Sequence, residues 1–153
     1  MTFLKNKSIL ITGGTGSFGK AFCSKILSKY KDLRKLVIFS RDEFKQFEME
    51  KVFSTLKYKN IRYFLGDVRD QKRLSKAFED IDIVIHAAAL KQVDKAEYNP
   101  LEYIKTNINN NWILSTQGIN FPAIITTYTY IPSISNLAAD SQELCVLRIT
   151  RFL

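Results

Sequence analysis

Ser8-Ile9-Leu10-Ile11-Thr12-Gly13-Gly14-Thr15-Gly16-Ser17-Phe18-Gly19 decides the fold, because a short apolar run ends in a glycine-rich turn that opens a helical pattern. In a strand–turn–helix unit of this form, the glycines at 13, 16 and 19 allow a tight turn, close approach of backbone to a pyrophosphate, and close packing of helix on strand. The helix N-terminus then offers free N–H donors and the positive end of its dipole to the anion, so the loop needs no lysine. A Walker-type loop would follow its glycine with lysine and then serine or threonine. Here Gly19-Lys20 is followed by Ala21, which argues against nucleoside-triphosphate hydrolysis.

Beyond the loop, short runs rich in Ile, Val, Leu and Phe alternate with longer helical patterns, the form taken by successive strand–helix units and a parallel sheet. Strands are expected at about 7–12, 35–40, 61–65 and 82–87, and helices at about 17–30, 42–57, 71–79 and 99–110. Asp70 is placed to cap the third helix, and Asn99-Pro100 offers an N-cap followed by proline at the first helical position of the fourth. The expected fold class is therefore α/β, a Rossmann-like doubly wound parallel sheet.

At 153 residues and 46% hydrophobic composition the chain can bury one sizeable core. The first strand begins by about Ser8, with no apolar run before it, so a soluble, cytoplasmic protein with no membrane partner is expected. Cys23 and Cys145 are far apart and lack metal-ligand neighbours; both read as apolar fillers, with no disulfide and no metal site. The net charge of +8 raises the question of nucleic acid, but the lysines and arginines are spread over helix faces among acids, so no nucleic-acid partner is expected.

Three further stations follow the strands. After the second comes Phe39-Ser40-Arg41-Asp42-Glu43-Phe44-Lys45. An acid at this point accepts a ribose 2′-hydroxyl, whereas basic groups accommodate a 2′-phosphate. Ser40, Arg41 and Lys45 can surround a phosphate, which favours NADP over NAD, while Ser40 as a helix cap with Asp42 and Glu43 complementing the dipole is the plainer alternative. After the third strand, Asp67 and Val68 suit an adenine edge or a simple turn. After the fourth, Ala87, Ala88 and Ala89 supply small side chains where a flat cofactor must lie against backbone. His86, between Val84-Ile85 and the alanines, reads as a packed or backbone-bonded histidine rather than a catalytic base.

Taken together, the loop, Phe-Ser-Arg-Asp-Glu (39–43), Gly-Asp-Val-Arg-Asp (66–70), His-Ala-Ala-Ala-Leu-Lys-Gln-Val (86–93) and Ala-Glu-Tyr-Asn-Pro-Leu-Glu-Tyr-Ile-Lys-Thr-Asn (96–107) closely resemble one family. It is that of the inverting UDP-N-acetylglucosamine 4,6-dehydratases in the extended short-chain dehydrogenase/reductase superfamily, akin to the flagellin-glycosylation and capsule-polysaccharide enzymes. The resemblance runs to about Ile108. It implies an internal redox reaction in which hydride leaves sugar carbon 4, water is lost across carbons 5 and 6, and hydride returns to carbon 6. It also implies NADP as cofactor and a UDP-N-acetylglucosamine-type sugar as substrate. Gly13, Thr15, Gly16, Ser17, Phe18 and Gly19 would serve the pyrophosphate, and Ser40, Arg41, Asp42, Glu43 and Lys45 the 2′-phosphate end. Asp67 and Val68 would meet the adenine, and Ala87, Ala88 and Ala89 the ribose and nicotinamide. Lys91 would lie near the substrate, and Thr106-Asn107 beneath the catalytic centre.

The family continues into a strand ending in Ser/Thr-x-x-Asp-Lys and a helix bearing Tyr-x-x-x-Lys, and neither occurs here. The residue four places after each tyrosine is Arg34, Arg62, Asp67, Glu102, Asn107, Pro132 or Ile134, and no lysine follows Lys105. That dyad matters because a neighbouring ammonium is what lowers a tyrosine's pKa enough for it to act as a base. No catalytic residue is therefore assigned. The composition also breaks: 34 charged residues lie among positions 1 to 108, against four among 109 to 153, Asp140, Glu143, Arg148 and Arg151. The expectation is a truncated NADP-binding domain over 1–108 and a divergent or frameshifted tail over 109–153, holding one added strand plus irregular chain. The resemblance allows a homo-oligomer, which is not expected of this form. The rival readings are a noncatalytic dinucleotide-binding or interaction module and another extended-family epimerase or reductase.

Overall fold

The computed structural model describes residues 4–90, 93–109, 123–128 and 146–150. The four expected strands form as β1 (Ser8–Thr12), β2 (Lys35–Ser40), β3 (Ile61–Leu65) and β4 (Ile83–His86), all parallel. Two more, β5 (Ala123–Tyr128) and β6 (Val146–Thr150), extend the sheet to the order β3-β2-β1-β4-β5-β6, with β6 antiparallel. The segment expected to add one strand thus contributes two.

Every residue of β1 and β4 is buried, which is what a strand covered on both faces requires. The alternation of side chains divides them between two cores. Ile9, Ile11, Leu36, Ile38, Ile83 and Ile85 point to one face, where they meet Cys23, Ile26 and Leu27 of α1 (Ser17–Lys29) and Met49 of α2 (Glu43–Val52). Leu10, Val37, Phe39 and Val84 point to the other, against Leu74 and Ala77 of α3 (Gln71–Ala77) together with Phe78 and Ile81. Full burial of such side chains contributes roughly 1.5–3 kcal/mol each, so the central strands anchor the two helical layers.

Helix ends follow local chemistry. Asp70 caps α3 by accepting from the Arg73 N–H at 3.0 Å. At α2 the cap is Asp42, which accepts from the Lys45 N–H at 2.9 Å, rather than Ser40. Ser40 is drawn away because its Oγ accepts from the buried Gln46 amide at 3.0 Å. α2 stops at Val52, five residues short of expectation. The Phe53 carbonyl is taken by the Tyr63 hydroxyl, and Ser54 accepts the Leu56 N–H in a turn that replaces the helix. The last expected helix, 99–110, forms as α5 (Pro100–Ile104) and a π-helical turn over Lys105–Asn109, and an additional helix, α4 (Val93–Tyr98), precedes it. Pro100 sits at the start of α5 as read, but the Asn99 amide donates back to the Lys95 carbonyl instead of capping.

Candidate functional site

The sheet order reverses between β1 and β4, because the chain runs outward to β3 and then returns. In open α/β sheets the crevice at the carboxyl ends of such strands is where ligands sit. A cavity of about 640 Å³ lies there. Its walls come from four stations: the turn after β1, the turn after β2, the turn after β3 and the run after β4.

At the first station Gly13 takes φ 64°, a left-handed conformation that side chains rarely adopt, and a Cβ on it would stand 2.8 Å from both the Ala87 carbonyl oxygen and the Ala88 nitrogen. The loop is therefore pressed directly against the end of β4. Gly19 is buried beneath the loop, where a Cβ would overlap the Gly14 carbonyl. This allows α1 to start close under the turn. α1 has no acidic residue in its first turn and no side-chain cap, so its positive end meets the cavity through Gly16, Ser17 and Phe18.

His86 secures the floor. It is buried, and the Thr12 hydroxyl lies 2.7 Å from its Nδ1. The same Thr12 oxygen accepts from the Ala87 and Ala88 N–H groups at 3.2 and 3.3 Å. With its acceptor positions so used, the hydroxyl proton goes to Nδ1, which places the imidazole proton on Nε2. Burial lowers the imidazole pKa to about 4, so the ring is neutral near pH 7. It is a packed, bonded histidine, as the apolar neighbours implied.

At the second station Ser40, Arg41, Asp42 and Lys45 all face the cavity. Lys45 pairs with Asp42 at 3.2 Å, and Arg41 reaches Asp67 at 3.9 Å; both cations are more than half exposed. The hydrogen bond from the Lys45 N–H, with the Lys45 and Arg41 charges, holds the Asp42 carboxyl below its ordinary range.

At the third station Gly66, Asp67 and Val68 line the wall. Gly66 is required, since a Cβ would stand 2.7 Å from the Phe39 ring and 2.8 Å from the Arg73 side chain. The Asp67 carboxylate is already engaged: Arg69 binds it through Nε at 3.0 Å and Nη2 at 2.6 Å, and this lowers its pKa. Arg69 also donates to Glu102 of α5 at 2.5 Å, tying this turn to the helices after β4.

At the fourth station Ala87, Ala88, Ala89, Leu90 and Thr106 close the cavity. Gly19, Glu43 and Asn107 do not line it. Glu43 is exposed in the first turn of α2, and Asn107 brackets Leu90, accepting from its N–H at 2.9 Å and donating to its carbonyl at 3.0 Å. Lys91 lies outside the described residues. Lys20 and Leu90 line the cavity without having been singled out as binding residues. Lys20 was legible in principle, because it lies one helical turn beyond Gly16 and so shares its side of α1. Among the described residues no cluster of His, Cys, Asp or Glu could hold a metal ion, and no helix is long and apolar enough to cross a membrane.

Residues 9–123 match the model of a family described as polysaccharide biosynthesis protein. The UDP-N-acetylglucosamine 4,6-dehydratase (inverting) of Campylobacter jejuni serotype O:23/36 is 59% identical over 103 residues, which is 67% of this chain and 30% of the relative. A UDP-glucose 4-epimerase of Rickettsia bellii is 48% identical over 105 residues, again 67% of this chain and 30% of the relative. Among solved structures, Pen from Bacillus thuringiensis superposes with a TM-score of 0.76 at 38% identity, covering 82% of this chain and 40% of that one. The chain thus spans about a third of the length of the curated relatives it matches.

Proposed function

The chain belongs to the polysaccharide biosynthesis protein family, and we propose that it is the NADP-binding part of a UDP-N-acetylglucosamine 4,6-dehydratase, able to bind the dinucleotide but not to turn the sugar over. The observation that carries the dinucleotide reading is the fit of Gly13 against Ala87 and Ala88. It presses the glycine turn onto the end of β4 and starts α1 at the cavity wall, where a pyrophosphate would meet the positive end of the helix. The choice of NADP rests on Ser40, Arg41 and Lys45 at the end of β2, and the choice of reaction on the 59% identity to the Campylobacter dehydratase. NADP bound here would supply a hydride acceptor. Gly16, Ser17 and Phe18 would hold its pyrophosphate, Arg41 and Lys45 its 2′-phosphate, the Asp67-Val68 backbone its adenine, and Ala87 to Ala89 its ribose and nicotinamide. Because Asp67 is engaged by Arg69, backbone groups rather than its carboxylate are assigned to the adenine.

The inactivity rests on the sequence. Among these 153 residues no tyrosine has a lysine four places on, so the tyrosine–lysine pair that the resemblance implies for proton exchange with the sugar is not found in them. Incubation of the 153-residue chain with UDP-N-acetylglucosamine and NADP, followed by mass detection of water loss, tests this. The expected result is bound NADP with unchanged sugar; sustained formation of the dehydrated sugar would overturn the assignment.

A further inference from the structure

Two cations of the cavity wall have carboxylate neighbours and one does not. Lys45 is held by Asp42, and Arg41 reaches loosely to Asp67, which Arg69 already grips. Lys20, on the first turn of α1, lines the same cavity and among the described residues takes part in no ion pair. Lys20 is exposed, and among the described residues its ammonium takes part in no hydrogen bond, while its backbone N–H donates to the Gly16 carbonyl.

Position narrows what this charge can serve. α1 and α2 bury their inner residues, Cys23, Ile26 and Met49, in one core, so both helices lie on one face of the sheet. Their first turns, carrying Lys20 and Lys45, therefore rise on the same side of the β2 end. A pyrophosphate at the glycine loop already has the α1 dipole and backbone donors. A phosphomonoester near the β2 end carries about −1.5 to −2 charge at pH 7 and meets Arg41 there together with Lys45, whose charge the 3.2 Å pair with Asp42 partly offsets. A cation without a carboxylate neighbour completes the balance.

We propose that Lys20 is a specificity-determining residue that, with Arg41, clamps the 2′-phosphate of NADP between α1 and the turn after β2. The proposal rests on the NADP reading above and adds a residue to it. Arg41 leaves its 3.9 Å contact with Asp67, Lys20 closes from the α1 side, and Lys45 contributes from its place beside Asp42.

Calorimetric titration of the wild-type chain, Lys20→Gln and Lys20→Arg with NADP and with NAD tests this, with thermal melts to confirm that each variant is folded. Lys20→Gln is expected to weaken NADP by about tenfold, the scale of one charge-assisted contact, to leave NAD affinity unchanged, and to be largely rescued in Lys20→Arg. Unchanged NADP affinity in Lys20→Gln, or an equal loss for both dinucleotides, would overturn the clamp while leaving the NADP reading intact. Failure of the wild-type chain to bind NADP would overturn both.

Discussion

At the β1 end of the cavity the wall is backbone on backbone, with Gly13 pressed on Ala87 and Gly19 buried under Gly14. At the β2 end it consists of Arg41, Lys45 and Asp42, side chains standing largely in water with ion pairs of 3.2 and 3.9 Å. The first end responds to volume and hydrogen-bond geometry and is indifferent to salt. The second responds to charge, and exposed pairs of this kind contribute little to folding. On the proposed reading the two ends would separate two decisions: the glycine loop whether a pyrophosphate is accepted, and the charged side chains around the β2 end which dinucleotide is preferred.

The comparison can be broken first at the floor. His86 has its pKa lowered to about 4 from 6.5 by burial, so as pH falls the unfolded chain takes up its proton before the folded one. Stability from this source is complete above about pH 6.5 and is lost toward pH 4, by on the order of 3 kcal/mol. Urea denaturation across that window should show the slope and His86→Asn should flatten it; equal slopes in both would detach His86 from the floor's stability.

Gly19→Ala is expected to cost about 2–3 kcal/mol, since backbone must move to admit one methyl. It should also weaken NADP and NAD alike, as read by melting and by titration. A well-folded variant that loses only NADP would place the two decisions at the same end. Asn107→Ala removes both bonds to the Leu90 backbone and leaves a partly buried N–H and carbonyl to find new partners, with an expected loss of about 1–2 kcal/mol by urea denaturation. The smallest stability effect belongs to the β2 end: Arg41→Ala should leave the melting temperature within error and lower NADP affinity about tenfold, with NAD unaffected. NADP affinity equal to that of the wild type would remove Arg41 from the phosphate assignment.

The parallel strands and the glycine loop were legible because period, apolar run and glycine spacing are local properties of Ser8 to Gly19. The same holds for Asp70, whose capping role depends on residues three places away. What escaped was set by partners distant in sequence. Asp67 was read as suiting an adenine edge or a turn; its binder Arg69 is only two places on, but Arg69 also reaches Glu102, 33 residues further along, which the local sequence does not announce. Ser40 as a cap stood as the alternative to a phosphate contact because the claim of Gln46 on its oxygen depends on helix phase and on the Phe64 carbonyl across the sheet. Asn107 could be placed near the site by resemblance, but that it holds Leu90 from below, without lining the cavity, follows only once the π-helical turn has formed. Helix α4 was missed because Asn99-Pro100 marks the start of α5 without saying what precedes it.

Calorimetric titration of the unmodified 153-residue chain with NADP and, separately, with NAD tests the central claim most directly. Saturable one-to-one binding of both, with NADP tighter by about tenfold or more, is the predicted result. Absence of binding, or a preference for NAD, would contradict it.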